Sequence, residues 1–77
     1  MTPLPDQDVW LKAGPAEVLI PAEWGGVRDI MSECGWWAGQ ISIVKKDGIR
    51  YLDWFAFYSP RDDDQFGDSI DVTLEKP

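Results

Sequence analysis

Carboxylates dominate the polar chemistry of this 77-residue chain: 14 Asp and Glu stand against 7 Lys and Arg, with one cysteine and no histidine. The lack of histidine removes the usual general base, so no Ser/His or Cys/His nucleophile pair can be assembled. Asp53 and Asp71 are the aspartates that sit in strand-like stretches and that a fold might bring together for acid–base work. No nucleophile, oxyanion donor or cofactor motif accompanies them. A small hydrolase using Asp53 and Asp71 is therefore the most distant reading, and a protein without enzymatic activity is expected.

The segment "RDDDQFGD" (Arg61–Asp68) invites a metal reading through Asp62, Asp64, Gly67 and Asp68. A calcium loop of the EF-hand kind needs Asp or Asn where this chain has Phe66 and Glu where it has Thr73. A solvated acidic loop is expected instead, with a weak cation site as the alternative. One cysteine without histidine cannot build a tetrahedral zinc site. No metal and no cofactor are expected.

The formal charge of −7 disfavours contact with nucleic acid or an anionic membrane and favours a basic protein partner. "MTPLPDQDVW" has neither the basic start nor the apolar stretch of a secretory signal, and no apolar run approaches the ~20 residues of a membrane span. With a single thiol, a cytoplasmic setting is expected. A chain this short usually needs a staple. A disulfide within the chain is excluded, which leaves the five tryptophans as core mass, or a partner subunit.

The elements that would position these groups follow from pattern. Residues 1–8 read as an extended or frayed lead. Val9–Ala13 and Glu17–Ile20 alternate as strands around a Gly14-Pro15 turn. In Pro21–Gly35, Trp24, Val27, Met31 and Cys34 recur at helical spacing, which predicts a short helix with a buried Cys34 and Gly35 as its C-terminal cap. Trp36–Val44 and Ile49–Tyr58 read as strands joined at Asp47-Gly48, a type I′ hairpin signature. Ser59–Asp68 is the acidic loop, and Ser69–Glu75 a last alternating strand. The expected fold is one α+β domain over residues 1–77, with about five mainly antiparallel strands in the order ββαβββ and the helix on one sheet face.

"RYLDWFAFY" (Arg50–Tyr58) holds five aromatic residues around Asp53. A two-residue turn pairs Ile43 with Leu52, Ile41 with Trp54, Gly39 with Ala56 and Trp37 with Tyr58. Strict alternation then puts Leu52, Trp54, Ala56 and Tyr58 in the core. Tyr51, Asp53, Phe55 and Phe57 fall on a second face with Gln40 and Ser42, Asp53 lying opposite Ser42. Either the hairpin Val9–Ile20 covers that face or another molecule does.

The expected function is a protein-binding module: a small acidic inhibitor or immunity-type protein, of the kind phages or mobile elements carry. It would block a nucleic-acid-binding or catalytic groove, with mimicry of nucleic acid as one way of doing so. The expected partner-binding residues are Tyr51, Asp53, Phe55 and Phe57 with Asp62, Asp63, Asp64 and Asp68. The alternative is a homo-oligomeric assembly module, a homodimer for instance, that uses the same aromatic face.

Overall fold

The computed structural model describes residues 2–59, 64–66 and 70–76. Among these the chain forms strands β1 (Thr2–Leu4), β2 (Val9–Ala13), β3 (Ala16–Ile20), β4 (Gly26–Met31), β5 (Ala38–Lys46), β6 (Ile49–Ser59), β7 (Asp64–Phe66) and β8 (Ile70–Thr73), and no helix. The larger sheet runs β1-β6-β5-β4, with β7 also pairing with β6; the smaller runs β3-β2-β8. Every pairing is antiparallel. The expected α+β class is thus corrected to all-β.

Both hairpin turns lie where the sequence places them. Ala13 pairs with Ala16 around Gly14-Pro15. Lys46 pairs with Ile49 around Asp47 (φ 54°) and Gly48 (φ 80°), the two left-handed residues that a type I′ turn requires. Alternation along β2 and β3 buries Val9, Leu11, Ala13, Ala16, Val18 and Ile20. These meet Leu4, Ile41, Ile43, Leu52 and Phe57 of the larger sheet in one core, together with Trp24 and Trp37 from loops. The N-terminal hairpin therefore covers the core face of the larger sheet.

The expected helix over Pro21–Gly35 is replaced by a crossover, the edge strand β4, and a tight loop. Glycine inside a helix costs about 1 kcal/mol relative to alanine, and Gly25-Gly26 supplies two in succession. Val27 and Ile30 are β-branched, and β5 offers an unpaired edge, so the segment pairs with it from Gly26↔Ile43 to Met31↔Ala38. Cys34 falls in the following loop and is exposed, not buried on a helix stripe. Ser32 organises that loop: its Oγ accepts the N–H groups of Trp36 (3.0 Å) and Trp37 (3.3 Å), and its C=O accepts that of Gly35.

The pairing of β5 with β6 follows the expected register only as far as Ile43↔Leu52. The next pairs are Ser42↔Trp54, Ile41↔Phe55, Gln40↔Ala56, Gly39↔Phe57 and Ala38↔Tyr58. One extra residue, Asp53, is accommodated as a β-bulge, and the bulge reverses the facing of everything beyond it. Phe57 is 1 % exposed and Phe55 half-buried against the core, whereas Trp54 and Tyr58 are 41 % and 43 % exposed. The assignment of Trp54, Ala56 and Tyr58 to the core, and of Phe55 and Phe57 to the second face, is corrected accordingly. Gly39 makes room for this arrangement. A Cβ there would lie 2.7 Å from Phe57 Cδ1 and would also collide with the Ala56 carbonyl. The Phe57 ring also meets Trp37 edge-on, with centroids 5.9 Å apart.

Arg50 is buried, although the sequence places it in a basic cluster at the turn with Lys45 and Lys46. Its Nη1 donates to Pro21 O (2.8 Å), and its Nη2 to Pro5 O (3.1 Å) and Gln7 O (2.8 Å). The guanidinium thereby ties β6 to the β1–β2 and β3–β4 crossovers between the sheets. Asp8 links the same crossovers by accepting the Ala22 N–H at 2.7 Å.

Deleting Asp53 should preserve cooperative unfolding, because it removes the extra residue of the bulge and leaves Leu52, Phe55 and Phe57 inward and Trp54 and Tyr58 outward on a regular ladder. Asp53→Ala keeps the residue count and should shift stability by less than about 0.5 kcal/mol in urea melts. Gly39→Ala should lower the urea midpoint by an amount equivalent to about 1–3 kcal/mol, the usual cost of overpacking a core.

Candidate protein-binding face

The outer face of the larger sheet is built in cross-strand rows. Met31, Ala38 and Tyr58 form one row; Asp29, Gln40 and Ala56 the next; Val27, Ser42 and Trp54 a third; and Val44, Tyr51 and Pro3 a fourth. The central positions of two rows are small. Ala38 (6 % exposed) and Ser42 (4 %) are buried beneath their neighbours. The flanking side chains stand proud: Val27 is 56 % exposed and Met31 69 %, and Trp54 and Tyr58 are exposed to a lesser extent. The one polar pair within the face is internally satisfied, since Gln40 Nε2 donates to Asp29 Oδ1 at 2.7 Å. The result is an aromatic and aliphatic surface with a bound carboxylate at its centre.

Of the expected face residues, the structure brings Tyr51 here, half-buried and opposite Val44. Asp53 is exposed on the bulge, and Ser42 faces Trp54 in its place. Phe55 and Phe57 belong to the core side. Asp62, Asp63 and Asp68 lie outside the described residues, and Asp64 is in β7, paired with Ser59. Trp54 and Tyr58, the two aromatic residues that give the face its character, were the ones strict alternation sent inward. Asp53 belongs to the larger sheet. Asp71 is exposed on β8 of the smaller one, pointing opposite to the half-buried Ile70 and Val72. The two carboxylates are thus on separate surfaces. Among the described residues no cluster of three or more Cys, Asp or Glu is placed to hold a metal ion.

A second apolar surface adjoins the first. A groove of about 560 Å³ runs beside β3 and the β4–β5 loop, lined by Trp10, Leu19, Met31, Trp36 and Trp37, with Glu17 and Glu33 at its margin. Leu19 and Trp36 are each 42 % exposed. Near it Lys76 Nζ lies 5.4 Å from the Trp10 ring centroid, so that indole already attracts an ammonium group.

Comparison with protein-family models, curated proteins and solved structures finds no match. Function is accordingly argued from these surfaces. No helix among the described residues is long and apolar enough to cross a membrane.

If Trp54 and Tyr58 serve the surface and Phe57 the fold, truncation should separate them. Trp54→Ser and Tyr58→Ser should each cost less than about 1 kcal/mol in a urea melt, whereas Phe57→Ala should cost about 3–5 kcal/mol.

Proposed function

We propose that this protein is a non-enzymatic, acidic binding module that docks on a basic protein surface through the outer face of its larger sheet. The observation that carries the reading is the set Val27, Met31, Trp54 and Tyr58, four large side chains exposed on β4 and β6 on either side of the small, buried Ala38 and Ser42 of β5. Exposed apolar patches of this kind mark interaction sites, and Trp and Tyr are the residues most often found at binding hot spots. The charge of −7 selects the partner: it accelerates encounter with a basic surface and opposes self-association, nucleic acid and anionic lipid. The mode of action that fits is occlusion, in which a compact inhibitor or immunity-type protein covers a basic nucleic-acid-binding or catalytic groove. An intracellular setting belongs to the proposal, because the only cysteine is an exposed free thiol.

The test is paired capture. Immobilised wild-type protein and the Trp54→Ser/Tyr58→Ser variant are presented to the same cell extract, and retained proteins are quantified by mass spectrometry. The expected result is a basic protein retained by the wild type, lost at least roughly tenfold with the variant as hot-spot removal requires, and released as salt screens the charge. Equal retention by both proteins sinks the reading. So does light scattering that shows a wild-type dimer which the variant dissolves, since the face would then serve self-assembly.

A further inference from the structure

The strand β4 is the open edge of the larger sheet; among the described residues it pairs with β5 alone. The phase of that ladder is known. The Ser32 N–H donates to Trp37 O at 3.0 Å, which continues the β4–β5 pairing by one step. Hydrogen-bonded and non-bonded pairs alternate along an antiparallel ladder. Counting back from Ser32, the residues bonded inward are Ile30, Arg28 and Gly26, opposite Gly39, Ile41 and Ile43. The N–H and C=O groups of Val27, Asp29 and Met31 therefore point away from β5, along the open edge.

Proteins usually guard such an edge with proline, a bulge or a charge aimed across it. The strand β4 contains no proline, and its register with β5 is continuous. Both of its charges are engaged elsewhere. The Arg28 guanidinium lies 4.7 Å from the Trp24 ring centroid, and the Asp29 carboxylate is held by Gln40 on its own sheet.

Grooves flank the edge on both sides and meet at Ile30 and Met31. The outer one is lined by Asp29, Gln40, Ala56 and Tyr58. The inner one is the groove of Trp10, Leu19, Trp36 and Trp37 bordered by Glu17 and Glu33. Among the described residues, neither is lined by a lysine or arginine. Side chains of an added strand alternate between the two sides of a sheet, so one set would enter each groove.

We propose that β4 is a strand-addition site: an extended partner segment that alternates basic and aliphatic residues pairs with the outward backbone groups of Val27, Asp29 and Met31. Main-chain hydrogen bonds supply affinity in this mode, and the flanking pockets supply selectivity. A second copy of the chain is the poorer occupant, because it brings together two molecules of charge −7. The inference rests on the reading of a basic protein partner, but it places part of the contact on the β4 backbone and not on Trp54 and Tyr58.

The probe is the pentapeptide Lys-Val-Lys-Val-Lys, blocked at both ends and titrated into isotopically labelled protein at low salt. The expected result is amide exchange slowed at least roughly tenfold at Val27, Asp29 and Met31, retained in the Trp54→Ser/Tyr58→Ser variant. Val27→Pro removes an outward donor without touching the β5 ladder and should weaken binding at least roughly tenfold. Two N-methylated peptides, one modified at the lysines and one at the valines, give a readout that does not depend on the variant's folding. Strand addition predicts that only one of them loses binding. Absence of binding at millimolar peptide overturns the inference, as does equal binding by both methylated peptides. Shifts confined to Trp54 and Tyr58, without slowed amides, overturn it while leaving the face reading intact. Protection that rises with protein concentration and needs no peptide overturns it in favour of self-pairing.

Discussion

An antiparallel strand has a fixed side-chain period of two, and β6 breaks that period once, at Asp53. The inward set before the bulge is Arg50 and Leu52; after it, Phe55 and Phe57. No unbroken strand could direct both sets to the same side. The bulge reconciles them, and the rest of the larger sheet is arranged to match. Gly39 leaves space for the Phe57 ring, Trp37 turns inward to meet it, and Trp54 and Tyr58 are displayed to solvent. Core and candidate binding surface are two products of one backbone irregularity.

Arg50 plays the complementary part at the crossovers. Irregular segments that pass between two sheets carry backbone carbonyls with no ladder to join, and a buried orphan of that kind costs about 1–3 kcal/mol. A guanidinium satisfies three of them at once, from Pro5, Gln7 and Pro21. Its own Nε is buried without a hydrogen-bond partner, which is the cost of the geometry. Arginine suits this site because its planar fork reaches several acceptors and stays charged, where a lysine offers one compact donor group.

Much of the β structure was legible in the sequence. The β2–β3 hairpin, the Asp47-Gly48 turn and the alternation of β8 rest on local signals that tertiary context did not override. The helix over Pro21–Gly35 was not, because Trp24, Val27, Met31 and Cys34 match a period of 3.6 by coincidence. An edge strand that buries only part of Ile30 leaves almost no alternation to detect. The face of β6 was misread for a different reason: parity arguments assume an unbroken strand. Two cues to the break were present. Aspartate is a poor residue for a strand interior, and a glycine in the neighbouring strand suits the side on which a large ring packs. A second face with Tyr51 on it was therefore legible, but with the wrong companions and with its covering left open between the Val9–Ile20 hairpin and another molecule. The burial of Arg50 had no local signal at all, since its acceptors are 29 to 45 residues away in the chain.

The placement of β1 bears on how the molecule assembles as it is made. Thr2–Leu4 precedes every other described strand along the chain, yet its partner is Arg50–Leu52. It must wait for Arg50–Leu52, beyond two complete hairpin turns, before it can dock. Arg50 arrives with that same partner segment and gathers both crossovers as it does so. Contacts this distant in sequence slow folding because the intervening loop must be closed first. Nascent chains should therefore hold separate hairpins until β6 has emerged through Phe57, and only then close into a sandwich around that ring.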